Sequence, residues 1–215
     1  YTEGSSVVPS VTNVNNVSIL TGSFPRDHGI TSNYWYDRRT GNGRYMETAD
    51  FLTNTTVLER AAAKGLTTAL VTSKKKLLHL LNRGAGYAVS AEDPPEDLVA
   101  QLGDPGGIYS STINVWLLRA ARIVLRELDP DVMYVSTTDY VQHKYAPGDA
   151  QANAFYAMFD RYLAELDAAG AAIVVTADHG MKPKHKADGS PDVVYVQDLL
   201  DEWLGKDAAR VILPI

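Results

Sequence analysis

The 215-residue chain is 45% hydrophobic and 21% charged, the balance of a soluble globular protein long enough to bury a full core. A formal net charge of −6 without a basic stripe argues against a nucleic-acid partner. No apolar run approaches the ~20 residues that cross a bilayer, which argues against a membrane span. The absence of cysteine excludes disulfides, thiolate zinc sites and a cysteine nucleophile, so any metal must be held by His, Asp, Glu or a hydroxyl.

The chain opens at Tyr1 without a methionine or a signal-peptide pattern, and stops inside "ARVILPI", which reads as a buried strand. The expectation is a fragment, incomplete at both ends, of a cytoplasmic protein whose true N-terminus is not seen. The first notable stretch is "SVTNVNNVSILTGSFPRDHGITSN", residues 10–33. It strings Thr12, Asn13, Asn15, Asn16 and Ser18 onto a short apolar period that breaks at Gly22. Read as a helix, it has Thr12 at the N-cap, where free N–H groups and the helix dipole favour negative charge. A Thr hydroxyl is a poor nucleophile alone but ionises and attacks beside a divalent cation. Taken by itself, the stretch is equally satisfied by Thr12 as a simple cap. His28, before a glycine in a turn, reads as structural.

Thr56 and Glu59 have capping-box spacing, and the helix they start should end at Gly65. "TTALVTS" (67–73) is a strand, followed by "KKK", whose cations oppose the dipole of the helix they would begin. That local conflict favours a function for Lys74 and Lys76. His79 and the neighbouring leucines read as packing. Residues 84–108, with "DPPEDL" and "GDPGG", form the most turn-rich region and are expected to be a loop or cap insertion in one α/β domain spanning 1–215. Ile113, Leu117, Ala120, Val124 and Leu128 keep a helical period that stops at Asp129-Pro130. "DVMYVSTT" (131–138) is a second strand, a helix runs from about Asp149 to Ala169, and "AAIVVTAD" (171–178) is a third strand. "VQDLLDEWL" is a helix ending at Gly205, and "RVILPI" (210–215) is a fourth strand. Strands alternating with helices predict a mostly parallel central sheet covered on both faces.

In such folds ligands sit outside the carboxyl ends of the strands. The second strand leads into "DYVQH", with Asp139 and His143 four residues apart and on one face if a helical turn follows. The third ends in "ADHG", with Asp178 and His179. One Asp-His pair at a strand end is commonly a hydrogen-bonded turn. Two pairs after two core strands point to a divalent cation taking N and O ligands.

"TNVNNVSILTG…HGITSN" together with "TTDYVQH" and "TADHGM" resembles the alkaline phosphatase superfamily, in its nucleotide pyrophosphatase/phosphodiesterase branch. Within it, the Thr-Asn-x-Asn-Asn block with a Lys-x-Lys pair resembles the hydrolases that cleave the carbon–phosphorus bond of phosphonoacetate. The resemblance implies an alkaline-phosphatase-like sandwich and two Zn²⁺ ions. It implies Thr12 as nucleophile and ligand of one ion with Asp178 and His179, and Asp139 and His143 on the other. Asn33 would donate its amide to a phosphoryl oxygen, and Lys74 and Lys76 would clamp the substrate carboxylate. The family pattern has one more Asp, before the nucleophile, and one more His, far downstream. Neither is found here, and His185 follows the metal element too closely to stand in. The partner implied is a small phosphonate, with a homodimer as the candidate assembly. The competing expectations are a phosphodiesterase or nucleotide pyrophosphatase on the same fold, and an inactive fragment without a full metal set.

Overall fold

The computed structural model describes residues 4–110 and 112–212. In chain order these form α1 (Thr12–Thr21), α2 (Pro25–His28) and an antiparallel hairpin of β1 (Tyr34–Asp37) and β2 (Asn42–Tyr45). After a 3-10 turn come α3 (Val57–Ala62), β3 (Thr68–Thr72), α4 (Lys75–Leu81), β4 (Tyr87–Ser90) and α5 (Glu96–Leu102). Then follow α6 (Thr112–Leu128), β5 (Val132–Ser136), α7 (Ala150–Ala168) and α8 (Val196–Leu204). The chain divides into two units, Tyr1–His179 and Gly180–Ile215. The second carries α8, whose Gln197 fastens it locally by donating to the Ala209 carbonyl and accepting from the Val211 N–H.

The first unit is organised around β3. Every residue of that strand is buried, as a strand covered on both faces must be. Its side chains alternate between two apolar clusters. Ala69 and Val71 meet Val89, Leu98 and the buried stripe of α6. Leu70 meets Val14, Val17 and Leu20 of α1, Leu58 of α3, and Leu77, Leu80 and Leu81 of α4. Helices therefore cover both faces.

The sheet is parallel, in the order β4-β3-β5. The chain leaves β3 through α4 to β4 on one side and returns through α6 to β5 on the other. Strand order thus reverses at β3, and the carboxyl ends of β3 and β5 flank a topological switch point, where α/β sheets hold ligands.

Local chemistry explains the element ends. Thr56 and Glu59 form both halves of a capping box at α3, and Gly65 takes the left-handed conformation just beyond. Gly22 ends α1 in the same way, its N–H donating to the Ser18 carbonyl. The stretch 84–108 carries β4, a full member of the sheet, and α5.

Two expected strands are not observed. Residues 171–178 form no strand, and Val174 and Val175 are exposed. Residues 210–212 form none either, and 213–215 lie outside the described residues. An apolar run becomes a strand only when a neighbour accepts from its N–H groups and donates to its C=O groups. No strand among the described residues pairs with either run. His79, expected to pack, is exposed on α4.

Candidate active site

Thr12 is the first residue of α1 rather than its cap; the N-cap is Val11, in extended conformation and with no side-chain acceptor. The β-branched, apolar Val11 leaves the helix N-terminus to other groups. One of these is Asn33, whose Oδ1 accepts from the Asn13 N–H at 3.3 Å. Anchored through its oxygen, the Asn33 carboxamide directs its NH₂ away from the helix amide. The same spot fixes the base of the hairpin. Asn13 Nδ2 donates to the Met46 carbonyl at 2.8 Å, and the Met46 N–H donates to the Asn33 carbonyl at 2.9 Å.

Asp139 follows β5 and enters a helical turn, its carbonyl accepting from the His143 N–H at 3.1 Å. The expected sharing of one face follows directly, with His143 Nε2 lying 3.0 Å from Asp139 Oδ2. His179 Nε2 lies 3.8 Å from that oxygen and 3.7 Å from Asp178 Oδ2. Two carboxylates and two imidazoles thus form one connected cluster, His179 mostly covered and His143 open to solvent. Among the described residues, however, no three His, Asp or Glu side chains converge as a formed metal-holding set.

Lys74 caps α4 at the carboxyl end of β3 and places Nζ 3.7 Å from Asp139 Oδ1. Lys76, one residue into the helix, pairs with Glu47 at 3.8 Å. The unfavourable dipole of a lysine-led helix is offset locally, because Glu92 accepts from the Lys75 N–H at 2.8 Å.

Thr12 and Asp178 are brought together by Asn16, whose Nδ2 donates to the Thr12 carbonyl and to Asp178 Oδ2, both at 3.0 Å. Neither this link nor the one from Asn114 was assigned from sequence. Asn114, fully buried in α6, donates to the Thr138 carbonyl at 2.8 Å and accepts from the Thr138 N–H at 2.9 Å. It therefore grips the residue before Asp139. The available signal was an amide on an apolar helical stripe, which burial permits only with partners. His185 lies in the second unit, exposed, with Nδ1 facing the Lys186 carbonyl.

The sequence profile described as type I phosphodiesterase / nucleotide pyrophosphatase matches residues 2–212. The chain belongs to that family. It is similar to phosphonoacetate hydrolase from Sinorhizobium meliloti 1021, solved in complex with phosphonoacetate (55% identity, TM-score 0.91) and with phosphonoformate (56%, 0.90). In both comparisons the match covers 98% of this chain and 55% of that one, so the chain spans about half the length of that relative. The murine ectonucleotide pyrophosphatase / phosphodiesterase 5 shares the fold alone, at 12% identity and a TM-score of 0.53 over 77% of this chain and 43% of that one. Alkaline phosphatase PafA from Elizabethkingia meningoseptica is 50% identical over 38 residues, 18% of this chain and 7% of that protein. No helix of the described residues is long and apolar enough to cross a membrane.

Proposed function

We propose that the protein is a metal-dependent hydrolase that splits phosphonoacetate into acetate and phosphate through a phospho-threonine on Thr12. The observation that carries this reading is the placement of Lys74 and Lys76 at the carboxyl end of β3, with Lys74 beside Asp139. A phosphodiester offers no carboxylate for two ammonium groups to hold. The 55–56% identity to a hydrolase solved with phosphonoacetate and phosphonoformate supports the same substrate class.

In this reading two zinc ions are held, one by Thr12, Asp178 and His179 and the other by Asp139 and His143. The donor chemistry fits, being carboxylate oxygen and imidazole nitrogen. The 3.0 Å between Asp139 and His143 and the 3.7 Å between Asp178 and His179 also bracket the roughly 3.3 Å between two ligands of one tetrahedral ion. When bound, such ions supply positive charge at the phosphoryl oxygens and lower the pKa of a hydroxyl or water.

Thr12 Oγ attacks phosphorus and the carbon–phosphorus bond breaks. The electron pair passes to the methylene carbon and is shared with the carboxylate as an enediolate, which takes a proton to become acetate. Lys74 and Lys76 hold the carboxylate and stabilise the charge that grows on it in the transition state. Asn33 directs its NH₂ to a phosphoryl oxygen, and water on the opposite face frees phosphate and Thr12.

The test is phosphate release from phosphonoacetate by the intact protein with zinc. Thr12→Ala should abolish it, and Lys76→Ala should raise KM about 10- to 100-fold, the worth of a charge-assisted hydrogen bond. Turnover of an aryl phosphodiester instead, indifferent to Lys76→Ala, would refute the assignment.

A further inference from the structure

Asn16 is 3% exposed and uses all four hydrogen-bonding positions of its carboxamide. Nδ2 donates to the Thr12 carbonyl and to Asp178 Oδ2, while Oδ1 accepts from the Tyr134 hydroxyl at 2.8 Å and from Ser136 Oγ at 3.3 Å. The partners determine which end of the amide is which. The Thr12 carbonyl can only accept, so the NH₂ must face it and Asp178, and Oδ1 is left to accept from the Tyr134 and Ser136 hydroxyls.

One amide therefore joins the helix carrying Thr12, the strand leading to Asp139, and the turn carrying Asp178. The last of these has the greatest need. Residues 171–177 have no ladder among the described residues, so no sheet hydrogen bonds fix Asp178. We propose that Asn16 is a positioning residue, setting Asp178 against Thr12, with Tyr134 holding its Oδ1. The inference deepens the hydrolase reading and rests on it for the catalytic consequence alone.

Asn15 supplies the control. It is 4% exposed, accepts from the Val7 N–H and donates to the Pro9 and Val11 carbonyls, holding the entering loop rather than the site. A merely structural buried amide should behave alike at either position.

The experiment compares Asn16→Ala, Tyr134→Phe and Asn15→Ala in the intact protein. It reads hydrogen–deuterium exchange over 171–180, zinc affinity by competition with a chromogenic chelator, and kcat and KM on phosphonoacetate. Asn16→Ala should speed exchange over 171–180 at least tenfold and weaken zinc binding about 10- to 100-fold, as loss of a ligand's supporting partner does. It should lower kcat with little change in KM, because the lysines still hold the carboxylate. Tyr134→Phe should move the same readouts less far and carries the test if Asn16→Ala does not fold. Asn15→Ala should leave zinc affinity and 171–180 exchange at wild-type values. Wild-type exchange over 171–180 in both Asn16→Ala and Tyr134→Phe, or equal loosening by Asn15→Ala, would overturn the proposal. A wild type that binds no zinc, with exchange faster only in the Asn16 and Tyr134 variants, would refute the metal reading and uphold the tether.

Discussion

Replacing Asn114 with alanine removes the two hydrogen bonds that grip Thr138. It leaves the Thr138 N–H and C=O in a residue only 4% exposed, with Asn114 itself at 0%. An orphaned buried polar group costs about 1–3 kcal/mol, so losing both partners should cost about 3 kcal/mol, with a smaller cavity contribution. That is a large share of the roughly 5–15 kcal/mol by which domains are stable. At this chain length it corresponds to a Tm lower by roughly 6–12 °C. The sharper variant is Asn114→Asp. At neutral pH its carboxylate still accepts from the Thr138 N–H but cannot donate to the Thr138 carbonyl, and it is a buried charge. Its folded-state pKa must lie above the ordinary ~3.9 of an aspartate. Protonation restores an O–H donor with nearly the shape of the amide. The native state then binds a proton more tightly than the unfolded state, so the deficit of Asn114→Asp against wild type should shrink as pH falls through the raised pKa. Urea unfolding followed by circular dichroism from pH 8 to 4.5 reads both effects. A loss under about 0.5 kcal/mol in Asn114→Ala, or a pH-independent deficit in Asn114→Asp, would refute the claim that this amide clamps the approach to Asp139.

Two further outcomes follow from local chemistry. His28 is fully buried, its Nδ1 accepting from the Ile30 N–H and its Nε2 bonded to Ser18 Oγ. Burial, outweighing the opposing pull of Asp27, holds its pKa below the usual value. Its contribution is therefore full above pH ~6.5 and lost as pH falls toward the lower folded-state value. A His28→Gln variant should show a flatter fall in urea midpoint between pH 7 and 5, and an unchanged slope would refute the assignment. Gly84 has φ +81°, and a Cβ there would sit 2.2 Å from the Glu59 backbone nitrogen inside the α3 capping box. Gly84→Ala should cost on the order of 3 kcal/mol or more, and a Tm within 2 °C of wild type would contradict that packing.

The parts of the fold legible in the sequence were those written by local rules. The capping box at Thr56 and Glu59, the α6 stripe ending at Asp129-Pro130, and α8 up to Gly205 agree with the structure, because caps, periodicity and breakers act within one element. The hairpin 34–45 was missed because β2 is exposed throughout and carries no apolar alternation. The strands expected at 171–178 and 210–215 failed for the opposite reason, since hydrophobicity marks what a strand buries without supplying the neighbour it pairs with. At the site, strand ends located Asp139, His143 and Lys74. The Thr12 position was off by one residue, as Val11 takes the cap.

The amide-rich helix has its explanation in this division of labour. Three asparagines, Asn13, Asn15 and Asn16, are buried on a helix whose other buried positions are mostly apolar, an arrangement that propensity disfavours and burial penalises unless the amides find partners. Each bonds a different piece of irregular chain: Asn13 the hairpin base at Met46 through Nδ2, with its Oδ1 left unpaired among the described residues, Asn15 the loop 7–11, and Asn16 the Asp178 turn. None of these pieces has a ladder tying it to the parallel sheet. A sheet can place Lys74 and Asp139, which lie within three residues of a strand end, by its register alone. Asn33, Asp178 and Thr12 have no such register, and the side-chain amides of α1 supply in its place the fixed distances between them.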